Sequence, residues 1–240
     1  MDDQKSLQIK SKNDVLITGA HGTLGTKLNE ICPGCHRPTH SQMDICQDLM
    51  QSEYIRGIES KSIKTVIHCA ALKNERCTRM PVESMLTNIV GTANVVLFCE
   101  AVGAKLVYIS TDYVFRGDRG NYRPNDEVGP LNYYGETKLA GEYVVKSLKN
   151  HLIIRLSFFP DVFPYEKAFI DQFSTRITAS EAAAKIMDLI DQKSIGVHHI
   201  SGPKQSVYDY ALSTAAGKFV KPVLLSEDCL TRPKDTSLEQ

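Results

Sequence analysis

The sequence predicts an α/β fold, a doubly wound parallel sheet with helices on both faces. Three observations predict it. Short β-branched runs alternate with helix-length amphipathic stretches along the 240 residues, no internal repeat interrupts that alternation, and a glycine-rich turn joins the first run to the first helix. Strands joined by helical crossovers lie parallel, and right-handed crossovers place helices over both faces of the sheet.

The elements follow in order. Val15-Leu16-Ile17-Thr18 reads as a buried strand and Thr23 to Ile31 as a helix; Asp44 to Ile58 reads as a second helical stretch. Thr65-Val66-Ile67-His68 is the next strand, with a long helix from about Val82 to Ala101. Lys105 to Ser110 is a strand, Asn132 to Leu148 a helix, and Leu152 to Leu156 another strand. A helix over Ser180 to Ile190, a strand over Val197 to Ile200 and a helical stretch from Val207 to Ala216 close the series. Arg116 to Leu131 and Phe158 to Arg176 are irregular, and each follows a strand, where open parallel sheets bind ligands.

Composition narrows the function. Lys and Arg total 28 against 28 Asp and Glu, so net charge is zero and there is no bulk electrostatic case for binding nucleic acid or an anionic membrane. No run approaches the roughly 18 apolar residues of a spanning helix, and the polar start, MDDQKSLQIKSKN, has no signal-peptide core, so a cytoplasmic protein is expected. Seven scattered cysteines read as reduced thiols. Cys32-Pro33-Gly34-Cys35-His36, with His40 beyond, has zinc-ligand residue types, but a single CxxC without a second spaced pair is weak evidence, and Pro33-Gly34 read as a helix-to-strand turn.

Gly19-Ala20-His21-Gly22-Thr23-Leu24-Gly25 has GxxGxxG spacing in strand–turn–helix context. Gly19 allows the tight turn, Gly22 lets backbone N–H groups approach a pyrophosphate, and Gly25 permits close packing; the helix N-terminus favours the phosphate charge. Gly19, Gly22, Thr23, Leu24 and Gly25 are therefore candidate cofactor contacts, for NADP(H) or NAD(H). No acidic residue ends a second strand; Arg37 stands there instead, either to meet a 2′-phosphate or as an ordinary surface arginine. Asp44 would hydrogen-bond an adenine or cap a helix, and Ala70 and Ala71 are small enough for close approach to an adenosine.

Tyr134 and Lys138 stand at i and i+4, on one helical face. A phenol titrates near pH 10, so a neighbouring ammonium is expected to lower it towards the range of an efficient proton carrier. Ser110-Thr111 end a strand and offer a hydroxyl to a carbonyl oxygen.

These residues, with Ser110-Thr111-Asp112-Tyr113-Val114-Phe115-Arg116-Gly117 and Tyr134-Gly135-Glu136-Thr137-Lys138, resemble the extended short-chain dehydrogenases/reductases, most of all the dTDP-4-dehydrorhamnose reductase group. The resemblance implies a Rossmann fold, with an NAD(P)-binding part over 1–157 and a reduced substrate-binding portion over 158–240. It implies that Thr111, Tyr134 and Lys138 are catalytic, that Lys138 also binds cofactor, and that Thr111, Tyr113, Phe115 and Tyr134 meet a nucleotide-sugar substrate. The implied reaction is reduction of a 4-keto-6-deoxy sugar for surface polysaccharide. His68 to Lys73 and Thr87 to Thr92 also resemble nucleotide-sugar epimerases and dehydratases with bound NAD, but the acid–base pair of one dehydratase branch is missing, since Asp112 is followed by Tyr113. A regulatory subunit that keeps the cofactor and has lost the substrate pocket is a third reading.

Compared with such reductases the C-terminal half is short. Phe158 to Tyr165 would form a pocket wall, a hydrophobic plug or a dimer surface; Arg155, Lys167 and Arg176 would meet a diphosphate or remain solvated. The two long helices are expected either to pair in a homodimer or to pack on their own sheet.

Overall fold

A computed structural model describes residues 13–58, 60–215 and 218–239. Five parallel strands form the central sheet: β1 (Val15–Thr18), β2 (Thr65–His68), β3 (Lys105–Ile109), β4 (His151–Leu156) and β5 (Gly196–Ile200), side by side in that order. The pleat sorts their side chains. Val15 and Ile17, Val107 and Ile109, and Leu152, Ile154 and Leu156 enter the core beneath α1 (Thr23–Ile31). Leu16, Leu106, Tyr108 and Ile153 enter the core on the other face. Successive strand residues point to opposite faces, so near-continuous apolar runs mark strands covered on both sides.

The chain leaves β1 through α1 and returns to the edge beside β1 at a single bridge, Leu16 to His36, with Ile17 N–H donating to His36 O and His36 N–H to Val15 O, each at 2.8 Å. It then crosses to β2. Chain direction across the sheet thus reverses at β1, the switch point where ligands bind in such sheets. The expected helix over Asp44 to Ile58 is broken: a 3-10 turn at Leu49–Gln51 and a five-residue helix, α2 (Glu53–Gly57), take its place. Asp44 and Asp48 turn their carboxylates to nearby backbone N–H groups of Cys46 and Met50, the competing bonds that disfavour such residues within helices.

Beyond β2, a short helix α3 (Asn74–Arg79) leads to α4 (Pro81–Val102), whose Leu86–Val90 stretch is π-helical. At 22 residues and mean hydropathy 1.5, α4 is long and apolar enough to cross a membrane. Here it is a crossover helix, with Ser84, Asn88, Thr92, Val95 and Cys99 buried and Val82, Met85, Leu86 and Leu97 facing out. Next comes α5 (Tyr133–Val145), capped by the Asn132 side chain, which accepts from Gly135 N–H at 2.9 Å. Last are α6 (Ala179–Asp191), whose N-cap Thr178 forms a capping box with Glu181, and α7 (Val207–Thr214). Ala216 and residues 1–12 lie outside the described residues.

The cysteine expectation needs correcting. Cys32 and Cys35 form a disulfide, Cα atoms 5.6 Å apart. Cys32 caps α1, and the Pro33-Gly34 turn brings Cys35 back so that its N–H donates to Cys32 O at 3.1 Å. Bonded together, the two sulfurs offer no thiolate to zinc. Cys46, Cys69, Cys77, Cys99 and Cys229 are free.

Candidate functional site

The glycine turn is shaped by close approach. Gly19 has φ of +67°, and a Cβ there would stand 2.6 Å from Ala70 N; a Cβ on Gly25 would stand 2.3 Å from Gly19 O. The turn therefore presses against the Cys69–Ala70 peptide just beyond β2, and only glycine fits. A cleft of about 200 Å³ opens beside it, lined by Gly19, Gly22, Pro38, Asp44, Ala70 and Thr87 among others. Gly19, Gly22, Asp44 and Ala70 are thus brought together. Thr23 begins α1 at the surface, whereas the Leu24 side chain is buried in the core, leaving only its backbone for a ligand. Arg37 is exposed next to Pro38 and Ala71 is half-buried; neither lines the cleft. Asp44, with His40 Nδ1 at 3.8 Å, caps no helix.

A chain of polar contacts joins this turn to α5. His68, at the end of β2, has Nδ1 2.6 Å from Thr18 Oγ1 and Nε2 3.0 Å from Thr92 Oγ1. Thr92 donates to Asn88 O at 2.7 Å, Asn88 Nδ2 donates to Thr137 Oγ1 at 2.9 Å, and Thr137 donates to Tyr134 O at 2.8 Å. Burial pushes His68 down to about 3, so it is neutral at ordinary pH. The π-helical stretch turns Asn88 inward, where its Oδ1 also accepts from Leu72 N–H at 2.8 Å.

Tyr134 lines a second cleft of about 400 Å³, between the start of α5 and a C-terminal stretch containing Cys229 and Arg232. Burial is the largest influence on its phenol and pushes it above its usual range, while the Thr111 hydroxyl is the group that pulls it back. This corrects the expectation that Lys138 lowers it: the phenol keeps its proton at neutral pH. Lys138 is itself moved, down to about 7 by burial, with Glu142 and Cys69 drawing it up and Lys73 pushing it down. Its ammonium rests on the Tyr108 ring, 3.9 Å from the centroid. Gly141 gives the Tyr108 hydroxyl its space, since a Cβ there would be 2.2 Å from it.

Other expectations fail. Phe115 is fully buried, stacked on Tyr122 with centroids 4.3 Å apart, in a cluster with Val114 and Leu238, and is no substrate contact. Tyr113 is buried behind Tyr134, rings 6.2 Å apart, its hydroxyl accepting from Gln172 at 3.0 Å. Arg155 is neither solvated nor free for a diphosphate: its Nε and Nη2 donate to Glu142 at 2.9 and 2.7 Å, and Glu142 also accepts from Ser110 at 2.6 Å. Arg176 is buried over the Phe159 ring, and Lys167 is exposed. Phe159, Phe163 and Tyr165 pack edge to face and Tyr210 lies tilted against Phe159, so the aromatic stretch plugs the C-terminal core. Sequence reasoning missed Glu142, although its place four residues past Lys138 shares that helix face. It also missed Thr236, for which nothing local signals a role.

Comparison with known proteins places this geometry. The family described as RmlD substrate binding domain matches residues 13–188. The chain is 37% identical over 142 residues to the dTDP-4-dehydrorhamnose reductase of Mycolicibacterium smegmatis (56% of this chain, 42% of that protein), and 35% identical over 162 residues to methionine adenosyltransferase 2 subunit beta of Rattus norvegicus (62% and 46%). It therefore spans under half the length of these curated relatives. Among solved structures, dTDP-4-dehydrorhamnose reductase from Bacillus anthracis, in complex with NADP, superposes with a TM-score of 0.83 at 29% identity, covering 94% of this chain and 90% of that one. A dTDP-4-dehydrorhamnose reductase from Clostridium acetobutylicum gives 0.82 at 28%, covering 94% and 89%. With three quarters of its residues inside the family pattern and its sheet superposing on such enzymes, the chain belongs to the RmlD substrate-binding domain family.

Proposed function

We propose that this protein is an NAD(P)H-dependent reductase of a nucleotide-linked 4-keto-6-deoxy sugar, supplying a deoxysugar for surface polysaccharide in the cytoplasm. One observation carries the reading: the Tyr134 phenol, which keeps its proton, lines an open cleft, and the backbone carbonyl of the same residue ends a hydrogen-bonded chain that reaches Thr18, at the start of the glycine turn. The relatives named as dTDP-4-dehydrorhamnose reductases, one of them with NADP, support it.

The residues fit a dinucleotide. Gly19, Gly22 and Gly25 with the backbone of Thr23 and Leu24 would cradle its pyrophosphate; Asp44 and Ala70, which line the cleft, would face the adenosine, with Ala71 behind them, and Arg37, exposed beside Pro38 outside the lining, would reach in to a 2′-phosphate. Bound there, the cofactor supplies a hydride to the keto carbon. Tyr134 would give its proton to the oxygen as negative charge develops on it, and Thr111 would hold that oxygen by turning its hydroxyl proton to it from Asp112 Oδ1. Lys138 would bind the nicotinamide ribose, and its ammonium would offset the charge left on the phenolate. Dehydration is disfavoured because both oxygens of Asp112 are engaged, by Thr111 at 3.1 Å and Thr236 at 2.5 Å. The apolar outer row of α4, with Leu97 67% exposed, and Tyr143 on α5, 61% exposed, suit pairing with a second copy.

The test is titration with NADPH and NADH, then oxidation of each with a panel of nucleotide-linked 4-keto sugars. Tyr134→Phe is expected to keep cofactor binding and lower turnover by roughly 10²–10⁴-fold, the usual worth of positioned proton transfer. Cofactor binding with no turnover of any keto sugar would favour a regulatory subunit instead.

A further inference from the structure

The end of the chain returns to the turn that follows β3. Thr236 and Ser237 are polar, yet buried to 1% and 0% exposure. Asp235 N–H donates to Gly117 O at 2.9 Å, Tyr122 N–H to Ser237 O at 2.9 Å, and Thr236 N–H to Phe173 O at 3.0 Å. The turn is shaped to receive this segment. Gly117 and Gly120 have φ of +77° and +71°, and Cβ atoms on them would stand 2.2 Å from Pro233 Cβ and 2.4 Å from Asp235 Oδ1. Four consecutive residues, Asp235 to Leu238, are thus bonded to segments far away in sequence, Leu238 N–H donating to Thr175 Oγ1 at 3.1 Å.

Within that contact one side chain reaches the candidate catalytic groups. Thr236 Oγ1 donates to Asp112 Oδ2 at 2.5 Å; Thr111 Oγ1 donates to Asp112 Oδ1 at 3.1 Å and accepts from Tyr113 N–H at 3.2 Å. Asp112 is 1% exposed, so its side chain stays where these donors hold it. We propose that Thr236 is a positioning residue: through Asp112 it fixes the Thr111 side chain beside Tyr113, whose ring packs edge to face on that of Tyr134 at 6.2 Å, so the end of the chain completes the catalytic wall. The proposal rests on the reductase reading for its kinetic effect, but not for its structural effect.

The test compares full-length Thr236→Val, which keeps the shape and loses the donor, with Thr236→Ser, which keeps the donor. Thr236→Val is expected to lower kcat about 10- to 100-fold with KM within about twofold, as small misplacements of reacting groups do, and Thr236→Ser to recover most of it. The acidic limb of the kcat–pH profile should move to higher pH in Thr236→Val. Burial already pushes Asp112 up, the Arg176 cation and the Thr236 and Thr111 hydroxyls hold it down, and the Tyr134 phenol faces it. Removing one donor raises it further. Amide exchange over residues 110–118 should quicken in Thr236→Val alone. An unchanged kcat and exchange, a lower melting temperature with normal kcat, or a loss that Thr236→Ser does not recover would each overturn the proposal. If the wild type reduces no keto sugar, the reductase reading fails, and the exchange comparison alone decides whether Thr236 holds the turn.

Discussion

The two ends of the site are built by opposite means. At the glycine turn the structure removes side chains: Gly19, Gly25 and Ala70 meet backbone to backbone, with no room for a Cβ. At the candidate catalytic end it buries large polar ones, with Lys138, Glu142 and Arg155 each at 2% exposure or less and Asp112 and Thr236 buried as well. The first end needs neighbours only a few residues along the chain plus one parallel strand. The second needs partners 13 to 124 residues away. A surface made of backbone tolerates no substitution, whereas one made of paired charges tolerates change only where the partner is not stranded.

Four measurements would break or sharpen that contrast. Gly19→Val forces a β-branched side chain into a left-handed position against Ala70 and is expected to abolish NADPH binding, read by fluorescence titration, and to lower the melting temperature. Tight binding by this variant would end the claim for the turn. Arg155→Met strands the Glu142 carboxylate, and breaking a buried pair in this way costs about 3–5 kcal/mol, read by urea unfolding.

The third concerns pH. In the folded state burial lowers Lys138 from 10.5 to about 7, so between those values the unfolded chain binds more protons and stability rises with pH. Below about 7 both states are protonated and the cost of the buried charge is paid in full. The wild type should therefore gain stability relative to Lys138→Met as pH climbs from 7 to 9, with a slope of at most about 1.4 kcal/mol per pH unit. Equal slopes would show that the ammonium is better solvated than its burial implies.

The smallest effects compare two helix caps. Thr178→Ala on α6 and Asn132→Ala on α5 should each cost about 1 kcal/mol. Only Asn132 lines the second cleft, so only Asn132→Ala should also change KM. A kinetic effect from Thr178→Ala would blur the division between the two ends.

How much of this was legible beforehand follows the same division. The glycine turn was readable because tight turn, close backbone packing and helix start all fall within Gly19 to Gly25. Tyr134 and Lys138 were readable because helical spacing alone puts them on one face. Phe115 was misread as a substrate contact because a strand-end loop cannot reveal that Tyr122 will stack on it. Arg155 was misread because its partner, Glu142, lies on a different element. The Asp44 to Ile58 helix failed for a local reason, since aspartates at 44 and 48 bond their own backbone.

Taken alone, the order of residues determined the alternation of strand and helix, the glycine turn and the placing of Tyr134 and Lys138 on one helix face, because each depends on periodicity or on a few consecutive residues. Only the tertiary structure decided which charges are buried, that the phenol keeps its proton, and that a threonine near the chain's end meets an aspartate 124 residues earlier. Desolvation and long-range hydrogen bonding exist only once distant segments pack, and no local pattern encodes them.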